Sequence, residues 1–366
     1  MTTRGKCVPR LIGLALLLTL GPPPSDAAGG WRGARELEHA NQRLQGQVVD
    51  YTANHGADRR IWSSALNRRM ALYVYLPPGF DPAKQYPLVL WLHGLRQDER
   101  SFLSEVAEPL DHAMSEGKLP PAIVVAPDGS IESHNRYQAG SFFINSKAGR
   151  YEDYIIQDVW GFVVAHYPIR PEREAHILAG ASMGGFAAYN LGIKYRQTFK
   201  VVVGIFPPVN LRYVDCHGEY RTHFDPSCWG WRTELHPHEV VARFYGVVKV
   251  RLKWLTDPLF GRIPGAIDAI SRENPIEMLS TYKLREGELD MYIGYGGEDE
   301  FNTTAQIESF LYRAKELGLT VTVGYEPHGR HNAETALKLF PGVVTWLAPR
   351  VAPARMPLVP PGQNGD

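Results

Sequence analysis

Residues 180–185, with the sequence Gly-Ala-Ser-Met-Gly-Gly, constrain the fold of this chain more than any other segment. The apolar run at residues 175–179 precedes them and predicts a short buried strand, and the spacing of residues 183–194 is compatible with a helix. Small residues around Ser182 allow a sharp turn between strand and helix, so that its hydroxyl projects above the edge of a sheet. The pattern predicts Ser182 to be a nucleophile; a helix-capping serine in an ordinary glycine-rich turn is the alternative.

The rest of the chain alternates strand-like and helix-like segments. Short apolar runs predict strands at residues 47–51, 60–63, 69–76, 88–92, 122–127, 201–206, 290–295 and 321–325. Helical spacing predicts helices at residues 151–166, 304–317 and 332–346. This alternation predicts the α/β class, and the serine turn specifies an α/β-hydrolase fold: a mostly parallel sheet with helices on both faces.

One segment interrupts the alternation. Residues 207–274 are rich in Trp, Tyr, Phe and His and have no clear strand period. They stand between the strand after Ser182 and the strand before the candidate acid, where this fold commonly carries a cap over its site. We therefore predict a helical or irregular cap; a surface helical excursion is the alternative. The domain is expected to span residues 31–348, and the Pro- and Gly-rich residues 349–366 are expected to form a disordered tail.

The amino terminus is predicted to be a secretory signal peptide, residues 1–27. Basic residues precede a ten-residue apolar run at positions 11–20, and prolines and small residues follow it. The run is too short to span a bilayer, so no stable membrane insertion is expected after cleavage, although an uncleaved anchor is the alternative. Thirty-nine basic and thirty-nine acidic residues cancel without a basic stripe, so no nucleic-acid partner is predicted. The expected location is the periplasm or the medium.

The cysteines fit an oxidising compartment. Cys7 would leave with the signal peptide, and Cys216 with Cys228 would then remain as a pair. A disulfide between them would close a small loop and contribute about 3 kcal/mol; two free thiols are the alternative. His217 and His223 lie between the two cysteines, but the spacing of a structural zinc site is absent, so no metal is predicted.

The chain also supplies a base and an acid in the order that an α/β-hydrolase requires after its nucleophile. Asp299 follows the strand predicted at 290–295, and His331 follows the strand predicted at 321–325. Both would therefore lie on loops at the carboxyl end of the sheet, with His328 as the fallback base. The glutamates on either side of Asp299 are interpreted as solvent-facing charges. The sequence thus predicts a Ser182, His331 and Asp299 triad.

Two backbone amides are expected to stabilise a developing oxyanion. One is the N–H of Met183, directly after the nucleophile, and the other is the N–H of Leu95 in the turn after the strand at 88–92. His93 and Gly94 precede Leu95; a simple strand-ending turn, with His93 satisfied by local hydrogen bonds, is their plainer interpretation. No cofactor is predicted, because the glycine spacing around Ser182 differs from that of a dinucleotide-binding loop.

Taken together, these motifs resemble the putative-esterase family, which is similar to esterase D, feruloyl esterase modules and mycobacterial mycolyltransferases. The resemblance covers roughly residues 69–348 and rests on five short segments, at residues 91–95, 151–155, 180–185, 296–299 and 329–331. It implies the same triad and the same two amides, together with a pocket-side loop at Ser141–Ser146. Asp153 is included only as a structural carboxylate near the site.

The function predicted on this basis is that of an exported serine hydrolase that cleaves small-molecule or glycan-linked carboxylic esters through an acyl-enzyme intermediate. An acyltransferase acting on a sugar or another alcohol is one alternative. It is weakened because mycolyltransferases usually carry an Asp at the position of His93, where it helps to hold a sugar acceptor. A catalytically inactive binding protein is the other alternative, although all three triad positions are filled. Acyl specificity, alcohol specificity and oligomeric state are not encoded in these motifs.

Overall fold

The computed structural model describes residues 26–131, 140–244, 247–262 and 265–352. The helices of these segments, in chain order, are α1 (Asp26–Arg43), α2 (Ala107–Ser115), α3 (Tyr151–Asp153), α4 (Trp160–His166), α5 (Met183–Lys194), α6 (Leu252–Phe260), α7 (Ala266–Glu273), α8 (Pro275–Thr281), α9 (Thr303–Glu316) and α10 (Ala333–Val351). Of the predicted signal peptide, residues 1–25 lie outside the described segments. Helix α10 continues to Val351, past the predicted start of the tail, and residues 353–366 lie outside the description.

The strands of the described segments are short, as buried strands of an α/β protein usually are. In chain order they are β1 (Gln47–Tyr51), β2 (Ile61–Ser63), β3 (Arg68–Met70), β4 (Leu72–Leu76), β5 (Leu88–Leu92), β6 (Ile123–Pro127), β7 (Asn145–Ser146), β8 (Gly149–Arg150), β9 (His176–Ala181), β10 (Val201–Ile205), β11 (Tyr213–Asp215), β12 (Trp229–Trp231), β13 (Val240–Phe244), β14 (Val248–Arg251), β15 (Asp290–Gly296) and β16 (Val321–Glu326).

Eight strands form one central sheet in the order β1-β4-β6-β5-β9-β10-β15-β16. The pairs β1–β4 and β4–β6 are antiparallel, and the pairs from β6–β5 to β15–β16 are parallel. Because parallel strands end at the same edge, the loops after β5, β9, β15 and β16 meet there. The predicted mostly parallel sheet is confirmed.

Helices cover both faces of this sheet, which explains why its inner strands β5, β6 and β10 are apolar along their whole length. In β4, Leu72 and Val74 belong to one buried cluster, and Tyr73 and Tyr75 belong to the other. Helices α5 and α8 pack into the first cluster, whereas α2 and α10 pack into the second. The sheet therefore forms the middle layer of an α/β-hydrolase fold.

Three predicted elements differ in detail from the structure. The strand predicted at 69–76 is split into β3, which pairs with β2, and β4, which joins the central sheet. The helix predicted at 151–166 contains a π-helical stretch at Tyr154–Val159 between α3 and α4. Residues 207–274, called the cap segment below, contain α6, α7 and two hairpins, β11–β12 and β13–β14, which the aromatic-rich pattern did not indicate.

The two cysteines of the cap segment are joined. Cys216 and Cys228 form a disulfide with an S–S distance of 2.00 Å, as predicted. Their sulfur atoms are therefore not available as the thiolate ligands that a metal ion would need. Among the helices of the described residues, none has the length and apolar character needed to cross a membrane.

Candidate active site

Ser182 stands in a strained turn between β9 and α5. Its backbone has φ = +54° and ψ = −117°, a conformation that side-chain-bearing residues rarely adopt. The Ser182 N–H donates to the Ile205 carbonyl of the neighbouring strand at 2.7 Å, which helps to hold the turn. The turn also needs a glycine at 184, because a Cβ there would overlap the Leu92 carbonyl oxygen. The sequence motif is thus explained by the close packing of helix, turn and strand.

The structure brings the three predicted triad side chains into one hydrogen-bonded chain. The Ser182 hydroxyl lies 2.8 Å from Nε2 of His331, and Nδ1 of His331 lies 2.6 Å from Oδ2 of Asp299. With the ring proton on Nδ1, the imidazole donates to the carboxylate and accepts from the hydroxyl. This arrangement can move a proton from the serine to the imidazole during nucleophilic attack.

The loop after β15 fixes the orientation of Asp299. The second carboxylate oxygen, Oδ1, accepts from the Phe301 N–H at 2.8 Å and from the Thr303 N–H at 3.4 Å. The Asp299 side chain has no exposed surface. One oxygen is therefore held by backbone amides while the other faces His331, which leaves the carboxylate one orientation.

His331 lies in the loop after β16 and is held through its backbone and its ring by residues of the loops after β15 and β10. The His331 N–H donates to Oε2 of Glu300 at 2.9 Å. The rings of Phe206 and Phe301 lie 5.1 Å and 4.8 Å from the imidazole, centroid to centroid. The imidazole is thereby confined in a largely apolar slot with Nε2 directed at Ser182.

Burial and pairing act in opposite directions on the two titratable members. Burial alone would raise the pKa of Asp299, but the nearby His331 charge and hydrogen bond outweigh it, so the pKa is lowered from its ordinary 3.8. For His331, burial would lower the pKa, but the Asp299 carboxylate outweighs it, so the pKa is raised from its ordinary 6.5. The pair therefore favours an imidazolium beside a carboxylate, as a general base requires once it has accepted a proton.

The three other titratable residues discussed near the triad, His328, Glu298 and Glu300, differ in how exposed they are. His328, the fallback base, is 85% exposed and pairs through Nδ1 with Glu298 at 3.0 Å. Glu298 is exposed, as interpreted from the sequence. The interpretation of Glu300 as a solvent-facing charge is wrong: its side chain is 10% exposed and accepts from the His331 N–H and from Nε of Arg330. Glu300 is thus a site residue that the sequence did not reveal.

The two predicted amide donors border the same cavity as Ser182. Met183 is the first residue of α5, so its N–H is one of those that the helix's own carbonyls cannot satisfy. Leu95 lies within a turn in which the Gly94 N–H donates to Oε1 of Gln97 at 2.8 Å. Nδ1 of His93 lies 2.9 Å from the Gly94 carbonyl oxygen, on the peptide unit that carries the Leu95 N–H. The structure brings both residues to the cavity, and their role as donors stays a prediction.

The cavity above Ser182 has a volume of about 940 Å³, part of which is open to solvent. Most of its lining side chains are apolar, and they come from the cap segment and from loops and helices that follow strands of the central sheet. They are Leu95, Phe142, Ile144, Met183, Phe186, Pro208, Leu211, Leu235, Val241, Leu252, Leu255, Leu259, Phe260, Ile270 and Phe301. Two of these, Phe142 and Ile144, come from the loop at residues 141–146 that was expected beside the pocket.

Three polar side chains of this cavity were not found by sequence reasoning. Tyr220 and Arg232 come from the cap segment, and Gln306 comes from α9; all three are buried. Arg232 forms a two-pronged pair with the carboxylate of Glu239, and its guanidinium lies 5.6 Å from the centre of the Tyr220 ring. Asp153, the expected structural carboxylate, is buried and accepts from Nε of Arg150 at 2.6 Å.

One protein-family model matches most of the chain. The model of the family described as putative esterase matches residues 63–336. This span begins in β2 and ends in α10, so it includes the serine turn, both triad loops and the cap segment.

Curated relatives match over shorter stretches. An esterase of Mycobacterium tuberculosis (strain CDC 1551 / Oshkosh) is 28% identical over 174 residues, which are 45% of this chain and 36% of that protein. Endo-1,4-β-xylanase Y of Acetivibrio thermocellus is 37% identical over 81 residues, which are 20% of this chain and 8% of the xylanase. The chain thus spans less than two thirds of the length of each of these relatives.

Solved structures share the fold at low identity. A ferulic acid esterase superposes with a TM-score of 0.59 and 16% identity, covering 84% of this chain and 100% of that one. An S-formylglutathione hydrolase from Agrobacterium tumefaciens superposes with a TM-score of 0.58 and 17% identity, covering 84% and 97%. At this identity the likeness establishes the α/β-hydrolase fold.

Proposed function

Because this chain belongs to the putative esterase family, we propose that it is an exported serine hydrolase that cleaves carboxylic esters. The nucleophile is Ser182, the general base is His331, and Asp299 orients that base. One observation carries the proposal: the unbroken hydrogen-bonded chain from the Ser182 hydroxyl through His331 to Asp299, with its serine end at a largely apolar cavity.

The reaction proceeds in two halves. In the first, Oγ of Ser182 attacks the acyl carbon while Nε2 of His331 takes the hydroxyl proton, and the N–H groups of Met183 and Leu95 stabilise the oxyanion. The C–O bond to the alcohol then breaks, and the imidazolium returns the proton to the leaving alcohol. In the second half, His331 takes a proton from water, whose oxygen attacks the acyl carbon of the acyl-serine. The bond between the acyl carbon and Oγ of Ser182 then breaks, the imidazolium returns the proton to Oγ, and the acid is released.

The lining of the cavity favours esters with a bulky apolar part. Side chains of α6 in the cap segment and of the loop at residues 141–146 both line it. Burying apolar surface in such a cavity contributes about 25 cal/mol per Å². Short acyl groups would leave most of this surface uncovered, so a longer aliphatic or an aromatic group should bind better. The ester itself is either a small molecule or linked to a glycan.

Export is proposed from the predicted signal peptide at residues 1–27. The disulfide between Cys216 and Cys228 supports it, since such bonds persist in oxidising compartments. The domain boundaries proposed with it are residues 31–348 for the catalytic domain, with the cap segment inserted at 207–274. N-terminal sequencing of the exported protein should place the cleavage near residue 27. In pulse-chase labelling, blocking the signal peptidase should leave the longer precursor uncut.

The first test is burst kinetics on a series of p-nitrophenyl esters from acetyl to long-chain acyl groups, with Ser182→Ala beside the wild type. We expect a burst that disappears in the variant and a rate maximum beyond the acetyl ester. A fluorophosphonate probe should label the wild type and not Ser182→Ala. Absence of both turnover and labelling would contradict the proposal and favour an inactive binding protein. Turnover that rises with added alcohol, with ester product formed, would indicate acyl transfer.

A further inference from the structure

The loop at residues 216–228, called the disulfide loop below, reaches from the cap segment to the loop that carries Asp299. It connects β11 to β12, and its disulfide joins the residues next to the last pair of that hairpin, Asp215 and Trp229. Throughout this fully described loop the residues are exposed or half-buried, except for Tyr220, which is 7% exposed. Tyr220 is therefore the one buried side chain of an otherwise solvated loop.

The Tyr220 hydroxyl makes two hydrogen bonds in opposite senses. It donates to the carbonyl oxygen of Phe301, and it accepts from Nε2 of Gln306 at 2.8 Å. Both partners follow Asp299 closely in the chain. The hydroxyl thus links the disulfide loop to the loop after β15 and to the first turns of α9.

Three further hydrogen bonds join the same two loops. Nδ2 of Asn302 donates to the carbonyls of Tyr220 and Thr222 at 2.6 Å and 3.2 Å. Nη1 of Arg221 donates to the Glu300 carbonyl at 3.0 Å. These contacts fall on residues 300–302, immediately after Asp299, and residue 302 has a backbone φ of +55°. Contacts from outside the loop are suited to holding such a backbone in place.

Phe301 transmits this anchoring to the triad. Its N–H donates to Oδ1 of Asp299, its ring lies 4.8 Å from the His331 ring, and its carbonyl is the group held by Tyr220. If the carbonyl were released, the residue that supports both the carboxylate and the imidazole would lose one of its own anchors.

We propose that Tyr220 is a positioning residue for the acid–base pair, and that the disulfide loop is a covalently closed clamp on the loop carrying Asp299. This inference rests on the proposed function, since it concerns the same Asp299 and His331. The disulfide limits the freedom of a loop that has little buried surface of its own, so that Tyr220 reaches Phe301 without ordering a long flexible segment.

The test compares Tyr220→Phe with Tyr213→Phe. Tyr213 is buried in the same hairpin, but its hydroxyl donates to the His223 carbonyl and lies 3.3 Å from Oγ1 of Thr222, both inside the disulfide loop, and it makes no bond to residues 299–306 among those described. We expect Tyr220→Phe to lower kcat roughly tenfold to a hundredfold with KM within a factor of about two. Tyr213→Phe should keep the wild-type kcat.

The pH profile separates positioning from mere stability. Asp299 raises the pKa of His331, so a loosened carboxylate should move the acid limb of kcat/KM to lower pH in Tyr220→Phe. A variant that was only less stable would lose folded protein but keep the position of that limb. Unfolding curves measured beside the kinetics confirm that the assays are made on folded enzyme.

The double variant Cys216→Ser with Cys228→Ser tests the covalent closure. We expect it to lower kcat in the wild-type background and to have a smaller effect when Tyr220→Phe is already present, because both act through the same contact. A folded Tyr220→Phe with wild-type kcat and an unmoved acid limb would overturn the clamp. If instead the wild type shows no turnover that depends on Ser182, the proposed function itself fails.

Discussion

Two histidines follow strands of the central sheet and lie near aspartates, yet their surroundings differ. Around His331, Nδ1 donates to Asp299 at 2.6 Å and Nε2 faces the Ser182 hydroxyl. Around His93, Nε2 accepts from the Gly129 N–H at 2.8 Å, so the ring proton lies on Nδ1, toward the Gly94 carbonyl. The nearby carboxylate of Asp128 is 3.7 Å from Nε2.

The comparison shows that an Asp beside a buried His does not by itself make an acid–base site. Both nitrogens of His93 are engaged by backbone groups, so the ring fixes the turn before Leu95 and has no nitrogen directed at a substrate. One nitrogen of His331 faces a hydroxyl that borders the cavity. The plainer interpretation of His93, a strand-ending turn with local hydrogen bonds, describes the bond to Gly94, whereas the bond from Gly129 comes from 36 positions away.

The largest expected effect is the difference between replacing His331, which should mainly lower activity, and replacing His93, which should mainly lower stability. We expect His331→Ala to lower kcat by about 10⁵- to 10⁶-fold, since the nucleophile loses its base. Its free energy of unfolding should fall by about 1–3 kcal/mol, because the buried Asp299 carboxylate loses its partner. We expect His93→Ala to cost about 3 kcal/mol of stability, because it leaves the buried Gly129 N–H without its acceptor.

Kinetics with p-nitrophenyl esters and urea denaturation provide both measurements. His328→Ala is the matched control for His331→Ala, since that imidazole is 85% exposed and should be dispensable. If His93→Ala lost as much activity as His331→Ala while folded, the division into a chemical and a structural histidine would be wrong.

A smaller but still large difference is expected between the two aspartates. Asp299→Asn should lower kcat about 10³- to 10⁴-fold, because an amide at this position can stabilise the wrong imidazole tautomer and does not stabilise the imidazolium. Asp128→Asn should lower kcat less than about tenfold, because its partner His93 takes no proton in the reaction.

The pH dependence sharpens this comparison. His331 must be neutral to accept the serine proton, so kcat/KM falls as pH decreases through its pKa, which is raised above the ordinary 6.5. The wild-type midpoint should therefore lie above 6.5, and in Asp299→Asn it should move to lower pH because the carboxylate charge is gone. An Asp128→Asn variant with the same displacement would show that the His93 region contributes to the titration.

The fold was largely predictable because buried parallel strands are continuous apolar runs. Residues 88–92 and 201–205 are such runs, and both lie in the central sheet. The break between β3 and β4 was missed, because the side-chain pattern continues through it while the pairing partner changes. The hairpins of the cap segment were missed because their short strands pack against local aromatic rings rather than a broad sheet.

The triad side chains were identifiable because the glycine-rich turn marks the nucleophile. The acid and the base of an α/β-hydrolase then follow it in a fixed order along the chain. Glu300 and Tyr220 could not be identified in this way. Glu300 acts through the backbone N–H of His331, which no side-chain pattern records. Tyr220 meets Phe301 at a separation of 81 positions, and only the folded cap segment brings them together. The catalytic roles of Ser182, His331 and Asp299 themselves stay predictions until the variants are measured.

The smallest effect concerns a third titratable group, near His93 rather than His331. Burial, together with the charges of Asp128 and Asp98, raises the pKa of Glu99 from its ordinary 4.5 to about 7. Between these values the folded state holds the proton more tightly than the unfolded state does, so the free energy of unfolding falls as pH rises through this window. Glu99→Gln keeps a neutral side chain that can still accept from Nδ2 of Asn54, the bond that Glu99 makes at 2.6 Å.

We therefore expect Glu99→Gln to match the wild type in stability at pH 4.5 and to exceed it above pH 7 by at most about 3 kcal/mol, at 1.36 kcal/mol per pH unit. Urea denaturation from pH 4.5 to 8 measures the difference, with the exposed Glu108→Gln as control. In Glu99→Gln the acid limb of kcat/KM should keep its wild-type midpoint. The protonation of Glu99 changes the free energy of unfolding, whereas the protonation of His331 changes the rate of the reaction. A Glu99→Gln that was less stable than wild type at pH 8 would mean that the buried carboxylate stabilises this turn as an anion.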